Sequence, residues 1–387
     1  MSRWLRWLPR TLWQWIFWLL ILGGLYAAYV RVAYGLGGAT NLSDRFPWGL
    51  WIGFDVLCGV GLAAGGFTLA TIVHVFDVKR YRPILRATIL TAFLGYGLVI
   101  LALLFDLGRP YRVWHPLVMW NPRSVMFEVA WCVALYTTVL FLEFIPAVFE
   151  RLGWVRPLGW MRSFSVPIVI AGVILSTLHQ SSLGSLYLIV PDKLYPLWYT
   201  PLLPFFFFLS AICVGFAMML FESWHSSRAF GKQLELPLLA SMGRVLAVLL
   251  SVYLLIRFLD LYHRGVLPRL REPRTETYLF ALEAALLLVP MALLFLRSIR
   301  LSPARLYGCA LLVIFGFVTN RLNVSVTGME AGSGVHYVPK WTEVMVTLAI
   351  IALGFAIFRF AAQHLPIFAE EVPIVSGRPV PLAAAGD

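Results

Sequence analysis

The chain has 387 residues, of which 60% are hydrophobic and only 13% charged, with a formal net charge of +12. Soluble domains carry roughly 25% charged residues, so this composition excludes a soluble globule and reads as a polytopic membrane protein. The positive charge does not mark a nucleic-acid binder: Lys and Arg are scattered through short loops and serve as topology signals.

Apolar segments follow one another at 11–30, 48–76, 86–106, 124–148, 164–188, 201–222, 238–260, 276–297, 305–321 and 342–361. Most reach the ~20 residues that cross ~30 Å of hydrocarbon; the ninth is short. The expected fold is an all-α integral membrane protein, two four-helix bundles plus flanking helices over 1–372, with a flexible tail at 373–387. The first segment has no small-residue cleavage site behind it and is read as a retained helix. Basic residues favour the loops on the side of Arg3, Arg6 and Arg10, which puts both termini in the cytoplasm. The opposite loops, 106–123, 187–200, 260–275 and 321–341, are longer and rich in aromatics, which suits a docking platform for a peripheral subunit. Cys58, Cys132, Cys213 and Cys309 each stand alone in an apolar segment, so neither a disulfide framework nor an iron–sulfur ligand set is expected.

The polar residues inside these segments crowd toward one end. Asp55, Glu128, His179, Asp260 and Glu283 all fall in or at the edge of the outer third. An ionisable group costs about 2.5–3.5 kcal/mol in hydrocarbon on insertion scales, so several at one depth point to a functional site. In the second segment Gly61-x-x-x-Gly65 is a close-packing pattern. Packing does not explain Asp55, about two turns in from Trp48 and ~10 Å deep; a structural pair with an arginine is its alternative. The loop from Asp106 through Arg109, Arg112 and His115 leads to Ser124 and Glu128, which open the fourth helix at the positive end of its dipole. Glu143 lies roughly four turns further on nearly the same face. The two acids can hand protons inward, or serve as paired structural charges. In the fifth segment His179-Gln180-Ser181-Ser182 interrupts an apolar run, and a histidine there can donate to a carbonyl oxygen and exchange a proton near neutral pH. A b-type haem needs two axial ligands, usually histidines from facing helices; only His179 lies well inside hydrocarbon, and His74 with His225 is the sole depth-matched pair, near helix ends, so no haem is expected.

At Pro47–Gly66, Asp106–Glu128 and His179–Ser185 the chain resembles the NrfD/polysulfide-reductase membrane-subunit family. The stretch from Leu142-Glu143-Phe144 to Leu152-Gly153-Trp154 resembles its HybB-type branch, the membrane subunit of periplasm-facing nickel–iron hydrogenases. The resemblance runs from about residue 30 to 365. It implies a haem-free subunit that exchanges electrons between a periplasmic iron–sulfur partner, attached to a hydrogenase or other oxidoreductase, and menaquinone or ubiquinone. Glu128, His179 and Asp55 are then the candidate catalytic residues. Trp48, Asp55, His179 and Gln180 are the candidates for binding the quinone ring, and no metal site is expected. A secondary transporter also uses intramembrane acids, but near the midplane; a passive anchor would make the acids structural.

Overall fold

The computed structural model describes residues 11–231, 234–368, 374–375 and 378–379. Among them, ten helices are long and apolar enough to span a membrane: α1 Leu12–Ala39, α2 Trp51–Val75, α3 Arg82–Asp106, α4 Val125–Leu152, α5 Ser165–Ser185, α6 Leu203–Phe230, α7 Leu236–His263, α8 Thr275–Phe295, α9 Pro303–Ser333 and α10 Trp341–His364. An even number of spans brings the start of α1 and the end of α10 to one side, here called the terminal face. The other is the long-loop face.

Helices α2–α5 form one bundle and α6–α9 a second; α2 packs on both α6 and α9, and α5 packs on α6. Helices α1 and α10 pair with each other and lean on α3. Burial follows this plan: 78% of the apolar window of α2 and 72% of that of α6 is buried, against 17% for α1. The two central helices therefore contact protein on most sides. Their close approach needs small residues. A Cβ on Gly215 of α6 would come within 3.1 Å of the Gly65 backbone nitrogen, and Gly61 faces the Phe317 ring of α9, as the Gly61-x-x-x-Gly65 pattern requires.

The helix ends follow local chemistry. Ser124 caps α4 by accepting from Phe127 N at 3.3 Å, and Gly153, at φ 71°, ends that helix in the left-handed region. A clasp built on the buried Glu343 binds the long-loop ends of α1, α2 and α10. Its carboxylate accepts from Asn41 N at 3.0 Å, Lys340 N at 2.8 Å and the Tyr337 hydroxyl at 2.5 Å, while Trp51 Nε1 donates to its carbonyl at 3.1 Å. Burial, reinforced by Glu343, pushes the Tyr337 hydroxyl well above its ordinary range, so it stays a donor.

Two expectations from the sequence need correction. The ninth helix is not short: it continues through a π-helical turn at Asn323–Thr327 to Ser333, so the segment 321–341 is largely helix and not loop. Polar residues such as Asn320, Arg321 and Asn323 depress hydropathy there, but they are buried and hydrogen-bonded. The first helix runs past residue 30 to Ala39, with a non-helical kink at Gly35. Of the expected tail, Ile374–Val375 pairs antiparallel with Arg378–Pro379; the rest of 373–387 lies outside the described residues.

Candidate functional site

Between α2, α3, α6 and α10 lies a largely apolar cleft of about 720 Å³. Its size is within the range of small-molecule sites. Asp55 closes its long-loop end. The backbone makes a π-helical turn at Trp51–Val56, a feature frequent at functional sites, and this turn carries Asp55. The residue is 7% exposed, and its Oδ2 accepts from Thr347 Oγ1 of α10 at 2.8 Å. Midway along the cleft Thr91 of α3 donates to Glu222 Oε2 of α6 at 2.9 Å. His225, Arg359 and Gln363 line the end nearer the terminal face.

His179 and Gln180 do not line this cleft, and neither does Trp48. His179 is fully buried in the first bundle. Its Nδ1 meets Leu175 O at 2.7 Å and its Nε2 meets the Tyr96 hydroxyl. A carbonyl can only accept, so Nδ1 carries the proton, and in the neutral imidazole Nε2 then accepts from Tyr96. The Tyr136 ring leans on the same imidazole at 5.4 Å, and its buried hydroxyl has no hydrogen-bond partner among the described residues. Gln180 Nε2 donates to Val60 O of α2 at 3.2 Å. Trp48 stands edge-on to Tyr187 near the long-loop face, ring centroids 5.7 Å apart. The candidate ring-binding residues therefore occupy three places around α2 and not one wall.

Glu128 is half-buried in the first turn of α4, as expected, and no hydrogen bond or ion pair to a described residue holds its carboxyl. Glu143 lies toward the opposite end of that helix and lines a second cavity, about 410 Å³, together with His74, Asp77, Arg82 and Arg86. There Glu150 Oε1 holds Arg86 at 2.8 Å and Arg162 at 2.6 Å.

The second bundle contains an ionic network that sequence reasoning missed, apart from the depth of Glu283. Glu283 accepts from Trp198 Nε1 at 2.8 Å, Asn320 Nδ2 at 2.7 Å and Asn323 Nδ2 at 3.0 Å. Arg257 lies 4.0 Å away. Arg321 donates to Ser210, Phe207 O and Asn320 Oδ1 and stacks on the Phe207 ring at 3.7 Å. Hydropathy places Arg321 at the start of a loop; the run Asn320-Arg321-x-Asn323 at helical spacing was the available signal. Asp260, also flagged by depth, forms an end clasp: it accepts from Thr200 at 2.8 Å and Arg264 at 2.9 Å. Among the described residues no group of three or more potential ligands can hold a metal ion.

A family model described as "Polysulphide reductase, NrfD" matches residues 38–330. The sequence is 34% identical over 343 residues, 87% of each protein, to the Escherichia coli protein named "Probable Ni/Fe-hydrogenase 2 b-type cytochrome subunit". It is 29% identical over 381 residues, covering 91% of this chain and 90% of the relative, to the "Menaquinone reductase, integral membrane subunit" of Nitratidesulfovibrio vulgaris. With the "Hdr-like menaquinol oxidoreductase integral membrane subunit" of Archaeoglobus fulgidus it shares 25% identity over 251 residues, 64% of this chain and 59% of the relative. The Escherichia coli name overturns the expectation that no haem is bound, since a b-type cytochrome carries haem. Of the described histidines, His179 has both ring nitrogens engaged and His225 has its Nε2 on the Tyr307 hydroxyl at 2.9 Å, so neither fits an axial ligand through those atoms as it stands.

Proposed function

Because the chain belongs to the NrfD polysulphide-reductase family, we propose that it is the subunit through which a periplasmic iron–sulfur partner trades electrons with the quinone pool. It is a multi-pass membrane protein of a quinone-linked redox complex. The observation that carries the reading is the buried carboxyl of Asp55, bonded to Thr347, at the long-loop end of an apolar cleft. A quinone ring is apolar in outline with a carbonyl at each edge, so it needs a dry slot ending in a hydrogen-bonding group. Protonated Asp55 donates to a quinone carbonyl, and ionised Asp55 accepts from a quinol hydroxyl.

The long-loop face is then periplasmic, and its aromatic loops receive the iron–sulfur partner, which in turn serves a hydrogenase or another oxidoreductase subunit. Asp55 sits one turn into α2 from that face, which keeps the electron path from the partner short. Reduction of quinone takes up two electrons from the partner's centre and two protons; quinol oxidation runs the same balance backwards. Glu128, half-buried at the mouth of α4 and unpaired among the described residues, suits proton exchange with the solvent. Tyr136 and the His179–Tyr96 pair lie between it and Glu143, which extends the route toward the terminal face. Two turns separate Tyr136 from Glu143, and the unpartnered Tyr136 hydroxyl suits a bridging water.

The test uses the complex isolated through this chain. Copurification of an iron–sulfur subunit is expected, and Asp55→Asn is expected to lower quinone-linked turnover by about tenfold or more while the subunits still assemble. Turnover in Asp55→Asn equal to the wild type, with assembly intact, removes Asp55 from the site.

A further inference from the structure

The cleft is much longer than a quinone ring. From Ile350, near Asp55, to Gln363 at the far end, α10 lines it over about 20 Å at 1.5 Å per residue. Its walls are Leu62, Leu94, Leu98, Phe221, Phe355 and Phe358 with little polar surface between them. Helix α10 packs on α1 and α3, whereas α6 packs on α5, α7 and α9. The space left between α6 and α10 runs down toward the terminal face, where Ala229, Arg359 and Gln363 are exposed.

We propose that this cleft holds the isoprenoid tail of the quinone, with the ring at Asp55 and the tail trailing between α6 and α10 to the half of the membrane nearer the terminal face. The inference rests on the quinone reading and specifies it: the ligand is a long-tailed quinone, bound head inward, that reaches its site from that half of the membrane.

Polarity selects this occupant over a membrane phospholipid. A phospholipid keeps its charged head at the interface and sends a hydrocarbon end inward. That would seal the Asp55 carboxyl against methyl groups, an arrangement that costs free energy when no new polar partner is supplied. A prenylated quinone has the reverse order. One of its carbonyls meets Asp55, while its tail meets leucine and phenylalanine side chains, each buried methylene adding favourable transfer energy. Several isoprene units fill the length, so a short-tailed analogue leaves most of the wall uncovered.

The experiment is photolabelling of the full-length protein in lipid nanodiscs with two versions of one long-tailed quinone, a diazirine on the ring or at the end of the tail. The expected result is ring label near Asp55 and tail-end label on residues 224–230 of α6 and 355–363 of α10, both displaced by unlabelled quinone. Ala229→Trp, at an exposed mouth position on α6, is expected to cut tail-end labelling there by about tenfold, as the exclusion of two buried methylenes would. Ring label near Asp55 with tail-end label on other helices overturns the tail path and leaves the quinone reading standing. So does a tail-end label unchanged by Ala229→Trp, or phospholipid alone recovered from the cleft by mass spectrometry while ring label persists. No displaceable label from either probe overturns both.

Discussion

Replacement of Glu283 by alanine removes the only carboxylate among the described residues within 4.0 Å of Arg257 and leaves three donors, Trp198 Nε1, Asn320 Nδ2 and Asn323 Nδ2, facing an empty site. Hydrogen bonds between membrane helices average ~0.6 kcal/mol in double-mutant cycles, so three of them account for about 2 kcal/mol. The larger effect is the charge left behind. Arg257 is 3% exposed and Arg321 1%, and breaking a buried pair by removing one partner costs about 3–5 kcal/mol. The charge effect wins, and the expected loss is about 3–5 kcal/mol, a fall of several degrees in the unfolding midpoint. Glu283→Gln keeps the shape and one acceptor, so it separates the charge from the hydrogen bonds and is expected to lose more than half as much. The assay is thermal unfolding in detergent, followed by intrinsic fluorescence, for wild type, Glu283→Ala and Glu283→Gln. A midpoint for Glu283→Ala within one degree of wild type refutes the reasoning, since it means the two arginines need no counter-charge. A Glu283→Gln midpoint equal to wild type, with Glu283→Ala low, assigns the effect to hydrogen bonds alone.

Gly215→Leu forces a side chain into the backbone of α2 at Ala64 and Gly65; overpacking of this kind costs about 1–3 kcal/mol, read as a lowered unfolding midpoint or loss of the folded protein, and an unchanged midpoint means the two central helices separate freely. Glu128→Gln retains size and hydrogen bonding but cannot exchange a proton, so quinone-linked turnover is expected to fall sharply with insertion and partner docking intact. Near-normal turnover, or loss of assembly, makes Glu128 a structural residue.

The spans themselves were legible because ~20 apolar residues in a row have few other uses, and the structure returns ten of them. The packing role of Gly61 and Gly65 was legible for the same kind of reason: a local pattern with one main physical use. The depth of Asp55, Asp260 and Glu283 was legible, but their roles were not, because the partner decides the role. Thr347 lies 292 positions from Asp55, and Asn320 lies 37 from Glu283. Hydropathy also misjudged α9, where polar residues that are satisfied by buried partners look like the end of a span. The cleft was invisible in sequence. It is the space left among four helices drawn from both bundles and a flank, and Thr91, Glu222 and Thr347 belong to it only through that assembly.

The π-helical turn at Trp51–Val56 makes α2 sensitive to length as well as to composition. Such a turn accommodates one residue more than an α-helix would, and each residue advances a helix by about 100°. A similar turn at Asn323–Thr327 lies against it, with Gly53 facing Ser325. Deleting one residue from either turn would restore an ordinary helix and leave its apolar character untouched. It would also swing one half of that helix by about a quarter-turn against the other; in α2, either Asp55 then leaves the cleft or Gly61 and Gly65 leave their contacts. Two parts of one helix with different tasks, one facing a ligand and one packing against neighbours, are thus phased independently by a single inserted residue. Relatives that lack that residue would have to place their acid one position away to reach the same point in space.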